Sequence, residues 1–493
     1  MLEHNYLNAF ILTCTVVLPL IYWYWRPRKY PPGPRGIPVL GMLPFMGKYT
    51  ERKLAKWSKT YGNVMSLRFG RTDVVFLNDY GSIHEALVNQ GRKFAGRPKY
   101  TLPFITDLAK GAGLADMDYG KFFMSQKKLG YKALRGLGVG RTMESRVYEE
   151  ESHLIDAIRS MEGKPFKISK IIQKAISNNI LSVVFGQRFD YDDKHIEDIM
   201  NRLLNMLEDQ ATSLSSRICT LAPFLKDIPP IVFVYSRFKK RISVSLDYIR
   251  KKIYEHQETF QKNDLRDFID AFLKQSIIEN NQDFTIHQLI FYIRGLLVAG
   301  TETASTTLSW ALLCLLHHPE KQKKLREEIM KVLCCKERIS ITHKFMMPYT
   351  NAFIQEVMRY RTLSPIGVSH KTTEDAELNG YFIPKDTVVA TNLWAVHNDP
   401  VYWDEPEKFK PERFIDDNGE FIQSSHVIPF SLGIRQCLGK QLAQMEIFIF
   451  LVSMIQNFEF LPDPHDKELP NIDEGVNGLQ FLPYAYRVIA KSL

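Results

Sequence analysis

A ten-residue stretch, residues 430–439, constrains this chain more than any other part of its sequence. It reads Phe-Ser-Leu-Gly-Ile-Arg-Gln-Cys-Leu-Gly and places Cys437 between a glycine-punctuated loop and an apolar run over residues 442–455. The run predicts a helix, so Cys437 lies near its start. Unpaired N–H groups and the positive end of the helix dipole favour the thiolate form of a cysteine there. The alternative is a structural cysteine that opens a core helix.

The residues around Cys437 indicate what the sulfur binds. Gly433 and Gly439 remove side chains where a flat ligand needs close approach to the backbone, and Arg435 can meet an acidic group at its edge. These features suit haem iron ligated by sulfur. With Phe430, the pattern Phe-x-x-Gly-x-Arg-x-Cys-x-Gly resembles the signature of the haem-thiolate monooxygenases, the cytochromes P-450. The resemblance implies haem b as cofactor, Cys437 as the axial ligand of its iron, and the other four residues around it.

Length and composition favour one large domain. The chain has 493 residues, of which 45% are hydrophobic, and no Pro/Ser-rich linker or charged block interrupts it beyond the N-terminal segment. Its six scattered cysteines do not form the pattern of a disulfide framework. The net charge of +9 is spread along the chain, which does not indicate a nucleic acid partner. It fits an acidic protein partner or an anionic membrane surface.

The N-terminus predicts a membrane anchor. Residues 7–25 carry no charge, and their number is close to the ~20 residues that span a bilayer. More basic residues follow the run than precede it, so the positive-inside rule places the main body in the cytosol. The alternative, a cleaved signal peptide, lacks a small-residue cleavage site. We predict a transmembrane signal-anchor over residues 1–25, a basic, proline-rich hinge over residues 26–38 and one haem-binding monooxygenase domain over residues 39–493.

Further motifs resemble the same family. Arg97, in the run Phe-Ala-Gly-Arg-Pro, and His370 stand at positions where the resemblance implies donors to the haem propionates. Phe123 and Lys127 occupy the cofactor-binding positions at which the family has Trp and then Arg. Phe cannot donate an indole N–H, and Lys lacks the bidentate guanidinium fork. We therefore expect the haem edge to be bound differently here, although Lys127 keeps the positive charge.

A long helix predicted over about residues 286–317 carries the run Ala-Gly-Thr-Glu-Thr from Ala299 to Thr303. Gly300 costs ~1 kcal/mol relative to Ala in a plain helix, and Thr303 can bond to a preceding carbonyl. Such a local defect makes room for dioxygen and water, and an acid beside a hydroxyl can relay protons. The run resembles the family's oxygen-activation motif. The resemblance implies that Ala299 lies at the cofactor and that Glu302 and Thr303 are catalytic.

Glu356 and Arg359 lie three residues apart on one predicted helix face and can pair. They match the Glu-x-x-Arg motif of the family. Arg413, in the run Pro-Glu-Arg-Phe, matches the arginine that completes a buried triad with them. The role implied for all three residues is structural.

The resemblance covers nearly the whole chain and points to the animal microsomal branch, family 2. It implies a mainly α fold with a smaller β portion near the N-terminal third. The implied reaction inserts one atom of O₂ into a small apolar substrate, such as a lipid, steroid, fatty acid or xenobiotic. The sequence holds no recognisable flavin or nicotinamide fingerprint, so electrons come from another protein. The branch implies NADPH–cytochrome reductase at the endoplasmic reticulum membrane, with cytochrome b5 as a candidate assistant.

Two surface features carry weaker predictions. A basic set on the thiolate side is a candidate docking face for an acidic flavodomain, or else a solvated face: Lys127, Lys128, Lys132, Arg135 and Lys440. The apolar connector over residues 223–234 is a candidate second membrane contact, or else packs on the core.

Two other functional classes stay open at the level of sequence. A haem-thiolate isomerase or dehydratase acts on a pre-oxygenated lipid and needs no reductase. A non-enzymatic haem sensor needs no relay through Glu302 and Thr303.

Overall fold

The computed structural model describes residues 13, 21, 23–70, 72–98, 108–135, 142–212, 228–229, 231–333, 338–466 and 468–493. The predicted anchor over residues 1–25 lies almost entirely outside these ranges, as does half of the apolar connector over residues 223–234. Within the described ranges, no helix combines the length and the apolar character needed to cross a membrane.

Helices form most of the described chain, which confirms the predicted mainly α class. In chain order they are α1 (Thr50–Tyr61), α2 (Tyr80–His84), α3 (Lys121–Leu134), α4 (Met143–Arg159), α5 (Ile168–Phe185), α6 (Lys194–Thr212), α7 (Ile231–Thr259), α8 (Phe268–Leu273), α9 (Ile286–His317), α10 (Pro319–Val332), α11 (Pro348–Tyr360), α12 (Leu393–His397) and α13 (Lys440–Asn457). Single 3₁₀ turns include Ile341–Met346, Pro411–Phe414 and Gly433–Arg435.

The smaller β portion is built around a hairpin. Strands β1 (Val64–Phe69) and β2 (Thr72–Leu77) pair antiparallel from Val64 opposite Leu77 to Phe69 opposite Thr72. The remaining strands are β3 (His370–Lys371), β4 (Ala376–Leu378), β5 (Tyr381–Ile383), β6 (Val388–Thr391), β7 (Phe458–Pro462), β8 (Val476–Asn477), β9 (Phe481–Leu482) and β10 (Val488–Ser492). The largest sheet has the order β1-β2-β6-β3. Its β6 strand runs parallel to β2, so the sheet joins the N-terminal third to the C-terminal half.

Helix α9 forms the centre of the core. The Thr285 side chain caps its start by accepting the N–H of Gln288, and the helix ends before Pro319, which opens α10. Apolar residues occur on all its faces, as expected of a helix that other elements surround. It packs against α5, α7, α10, α11 and α13. The Trp310 ring is fully buried, and its Nε1–H donates to the Phe481 carbonyl at 2.8 Å.

A buried ion pair ties α11 to the segment that precedes the cysteine loop. Arg359 binds both carboxylate oxygens of Glu356, at 2.7 and 2.8 Å, and neither side chain is exposed to solvent. The remaining N–H groups of Arg359 donate to three backbone carbonyls, those of His397, Pro406 and Lys408. Arg413 reaches the same carboxylate, with its Nε 3.2 Å from Glu356 Oε1. The structure therefore brings the three predicted structural residues into contact.

The geometry of this triad predicts its contribution to stability. Arg359→Ala should lower the free energy of unfolding by about 3–5 kcal/mol, because it leaves the buried Glu356 carboxylate without its main partner. Arg159→Ala is the matched control, since Arg159 pairs with Asp156 at the same spacing, but both side chains are more than half exposed. It should cost only about 0–1 kcal/mol. Denaturant unfolding of the two variants measures both values, and equal losses would contradict the prediction.

Candidate functional site

The Cys437 thiol lies beside the N-terminal end of α13. Its backbone N–H donates to the carbonyl of Phe430 at 3.0 Å, and Gly439 is the N-cap of the helix, which begins at Lys440. The cysteine is exposed on one side. The protein packed around its other sides raises the pKa of the thiol by desolvation, while the N–H groups of Gly439 and Lys440 and the ammonium group of Lys127 act to lower it. The helix-end N–H groups expected from the sequence are therefore at the sulfur.

The structure gives a different reason for each of the two glycines of the loop. At Gly439 an added Cβ would meet no atom within 4 Å, so open space adjoins the residue close to the sulfur. At Gly433 the backbone has φ +71°, and an added Cβ would overlap the carbonyl oxygen of Leu87. Gly433 therefore lets the loop pack on Leu87, which differs from the ligand clearance expected for it. Of the two glycines, Gly439 is the one that adjoins open space.

Two arginines converge near the loop: Arg97 is buried, and Arg435 is half-buried. Arg97 donates from Nη1 and Nε to the carbonyls of Ser369 and Ala115, at 2.8 and 3.1 Å. Arg435 donates from Nε and Nη2 to the carbonyls of Ala95 and Met117, both at 2.7 Å. Burial lowers the pKa of Arg97 to about 10. Burial and the charge of Arg97 together lower the pKa of Arg435 to about 9. The two guanidinium groups are therefore close enough to repel each other.

The two acids near the arginine pair, Asp116 and Asp118, also interact with other basic residues. Asp118 accepts the Lys371 ammonium group at 3.0 Å and the backbone N–H of Arg97 at 3.1 Å. Asp116 attracts Arg97 and also Arg294, and burial raises the pKa of its carboxyl. Positive charge that is buried and incompletely balanced favours an anionic ligand. Two carboxylates at the edge of a flat ligand match this requirement.

His370 lies beside the arginine pair. Its Nδ1–H donates to the Phe94 carbonyl at 2.8 Å, and burial together with the charge of Arg97 lowers its pKa to about 3. The ring is therefore neutral here, and its Nε2 is an acceptor. A donor role toward a propionate needs a second proton on Nε2, which a bound carboxylate would favour.

Phe123 and Lys127 make contacts that the sequence did not predict. The guanidinium carbon of Arg435 lies 3.7 Å from the centroid of the Phe123 ring. Phe123 thus supports Arg435 by a cation–π contact where the family has an indole N–H. The Lys127 ammonium group donates to the backbone carbonyl of Ile434, inside the cysteine loop. Burial and the charge of Arg435 lower the pKa of Lys127.

The predicted oxygen-activation residues lie on α9. Thr303 Oγ1 donates to the carbonyl of Ala299 one turn earlier, at 2.7 Å. The Glu302 carboxylate accepts the Gln173 side-chain amide at 2.8 Å, which directs it toward α5. An added Cβ on Gly300 would lie 2.6 Å from the Ile180 side chain, also on α5. Gly300 therefore serves the packing of two helices, in contrast to the oxygen-binding space expected for it.

Three features together fit a haem with two propionates. They are a thiol at a helix N-terminus, open space at Gly439, and the guanidinium groups of Arg97 and Arg435, whose positive charge is not fully neutralised by nearby acids. Comparison with known proteins decides the family, because the family model described as Cytochrome P450 matches residues 31–490. The chain belongs to the cytochrome P450 family. This P450 binds haem b and is a reductase-dependent monooxygenase. The predicted family, cofactor and enzyme class are confirmed.

Relatives of this P450 lie in family 2, as the motifs predicted. Cytochrome P450 2U1 of Mus musculus is 34% identical and covers 97% of this chain and 94% of its own. Cytochrome P450 2F2 of Rattus norvegicus is 36% identical, over 95% of this chain and 96% of its own. Cytochrome P450 2C20 of Macaca fascicularis is 36% identical, over 97% and 98%.

The sequence did not predict the hydrogen-bond partners of the site residues. Gln173, which binds Glu302, precedes it by 129 positions, and no motif marks it. The arginine partners are backbone carbonyls, for which residue identity gives no signal. Gln173 is one of several polar residues on α5, so its presence there gave no specific signal for its partner.

The arginine pair predicts how the P450 retains its cofactor. Arg97→Ala should speed haem loss by about 10- to 100-fold, since a hydrogen bond to a charged group contributes ~1.5–3 kcal/mol. Transfer of haem to excess apomyoglobin measures the rate. Arg250→Ala is the control, because Arg250 is an exposed side chain on α7 that pairs with Asp247. Equal rates for the two variants would exclude Arg97 as a propionate ligand.

Proposed function

We propose that this P450 inserts one atom of O₂ into a small apolar organic substrate such as a lipid, steroid, fatty acid or xenobiotic. NADPH supplies the electrons through a separate reductase. The observation that carries the proposal is the Cys437 thiol at the start of α13, with open space at Gly439 and the Arg97–Arg435 pair nearby. Haem, when bound through Cys437, supplies the iron centre at which O₂ is reduced.

Specific side chains would hold the cofactor. Cys437 would ligate the iron, and Arg97 and Arg435 would bind the propionates without a large change of position, because backbone carbonyls already orient both. Phe123 would keep the Arg435 guanidinium group flat against its ring. Lys127 would fix the loop that carries the sulfur through its bond to the Ile434 carbonyl. Such preorganisation limits the reorganisation needed on binding.

Thr303 and Glu302 would manage protons. The Thr303 hydroxyl donates to the Ala299 carbonyl, so in this position its oxygen can accept a hydrogen bond from water. To pass on its own proton, the hydroxyl would exchange the Ala299 carbonyl for another acceptor. Gln173 holds the Glu302 carboxylate one residue away from this hydroxyl. Consecutive residues of a helix do not face each other, so water would connect the two groups. General acid catalysis of this kind contributes typically ~10²–10⁴-fold.

The basic surface of α3 supports the proposal that the electron donor is an acidic protein. A cleft of about 570 Å³ is lined by α3 and Ile434, with Lys127, Lys128, Lys132 and Arg135 among its residues. Arg135 also contacts Gln441 near the start of α13, at 3.1 Å, so the cleft adjoins the cysteine loop. Positive charge here would steer an acidic flavodomain toward the thiolate side. NADPH–cytochrome reductase is the proposed partner, with cytochrome b5 as a second candidate.

The hinge supports a membrane-anchored body. Arg35 binds Asp73 of β2 at 2.7 Å and the carbonyl of Trp25 at 3.1 Å, so the end of the predicted anchor is tied to the hairpin. Val39 and Phe45, just after the hinge, are 65% and 44% exposed. Exposed apolar side chains beside an anchor suit a membrane surface. We propose a single span over residues 1–25 in the endoplasmic reticulum membrane, with the catalytic domain in the cytosol.

Replacement of the sulfur tests the proposed ligand. Cys437→Ser should abolish the long-wavelength Soret band that the reduced carbon monoxide complex shows with thiolate ligation, because an alcohol is a poor anionic ligand. Cys314→Ala is the control, since Cys314 is a fully buried thiol whose pKa burial raises to about 12. This variant should keep the band. A Cys437→Ser protein with the band and normal turnover would refute the assignment.

A pair of threonine variants tests proton delivery. Thr303→Ala should keep substrate binding and NADPH oxidation but divert electrons from product to hydrogen peroxide. Thr307→Ala is matched, because Thr307 Oγ1 makes the same kind of bond to the carbonyl of Thr303, at 2.9 Å, one turn further along α9. It should leave the ratio of product to NADPH unchanged. A ratio of product to NADPH that Thr303→Ala leaves unchanged as well would mean that Thr303 is not the relay, and the relay would rest on Glu302 alone.

A further inference from the structure

Gly130 lies at the meeting point of three elements. It is buried in the second half of α3. A Cβ built on it would overlap the hydroxyl of Tyr292 on α9 and would lie 2.8 Å from Leu438 Cδ2 in the cysteine loop. Real Cβ contacts essentially never fall below 3.0 Å. Even one methyl group here would therefore require the Tyr292 side chain, the Leu438 side chain or α3 to move.

The Tyr292 side of this contact cannot yield easily. The tyrosine is 2% exposed, and its hydroxyl donates to the carbonyl of Gln126 in α3 at 3.0 Å. Its ring packs edge-to-face on Phe268, with centroids 4.9 Å apart. A move away from Gly130 would break a buried hydrogen bond, which costs about 1–3 kcal/mol when a group is left unsatisfied.

The Leu438 side is the cysteine loop itself. Leu438 follows Cys437 directly and packs against the main hydrophobic core. Lys127, three residues before Gly130, binds the Ile434 carbonyl on the other side of the sulfur. Helix α3 therefore contacts the loop on both sides of Cys437. A displacement of Leu438 acts on the residue that carries the sulfur, without an intervening residue to absorb it.

We propose that Gly130 is a positioning residue for Cys437. Its missing side chain lets α3 pack against Tyr292 and Leu438 at once, and this close packing fixes where the loop presents the sulfur. The proposal rests on the proposed ligation of haem by Cys437. It assigns to α3 a second task beside the basic surface: the helix sets the sulfur position, so a change at residue 130 reaches the iron through Leu438.

The test compares two glycine-to-alanine changes in the haem-loaded protein. Gly130→Ala should lose the thiolate-type Soret band of the reduced carbon monoxide complex in the larger part of the molecules that retain haem. Gly295→Ala is the matched control within α9, because an added Cβ there meets no atom within 4 Å. This control should keep the band, and its melting temperature should stay equal or rise, since Ala stabilises a helix interior by up to ~1 kcal/mol relative to Gly.

Two second-site changes separate positioning from general packing. In the Gly130→Ala protein, Leu438→Ala should restore the band by removing the loop-side overlap. Tyr292→Phe should instead raise the melting temperature only in part, because it removes the overlapping hydroxyl but also its hydrogen bond to Gln126, while the band stays low. If Gly130→Ala alone does not fold, the same double variants decide, since each relieves one side of the contact.

The outcomes that overturn the proposal are distinct from failure of the proposed function. A Gly130→Ala protein with a lowered melting temperature and a full band would show that Gly130 is structural only. Restoration of the band by Tyr292→Phe alone would show that the effect does not pass through Leu438. Absence of the band in the unchanged protein would refute thiolate ligation itself.

Discussion

The structure depends on how the positive charge of its arginine guanidinium groups is neutralised away from solvent. At Arg359 the charge is neutralised inside the protein, because Glu356 offers both carboxylate oxygens and backbone carbonyls take the remaining N–H groups. At Arg97 and Arg435 the donors are oriented by carbonyls, which carry no net charge. The first arrangement is complete and locks the fold. The second lacks a full counter-charge inside the protein, which is the physical reason that we propose it as part of a cofactor site.

The sulfur loop depends on neighbours from distant parts of the chain. Helix α3 binds it through Lys127, and the loop in turn packs on Leu87 through Gly433. Phe123 stacks under Arg435 from the same helix. Because these contacts surround the thiol that we propose as the haem ligand, we expect α3 to affect the sulfur more than a surface helix would.

Helix α5 binds acidic side chains of two neighbouring helices, α9 and α13. Its Gln173 holds the Glu302 carboxylate, and its Asn179 donates to Glu446 of α13 at 2.9 Å. Burial raises the pKa of Glu446 to about 8, so this acid is largely protonated at neutral pH. Two amides on α5 thus bind one acid from α9 and one acid from α13, the helix that follows Cys437. The three central helices are joined by polar contacts as well as by apolar packing.

The sequence by itself determined the mainly helical class through its periodicity, and it indicated the family and the cofactor through motifs that resemble those of the cytochromes P-450. Only the tertiary structure decided why Gly433 and Gly300 are glycines, what Lys127 binds and where Glu302 points. The reason is physical: each of those answers is a contact with a residue far away in the chain. The partner is often a backbone carbonyl, such as that of Ile434, 307 positions from Lys127, and every residue type carries the same carbonyl.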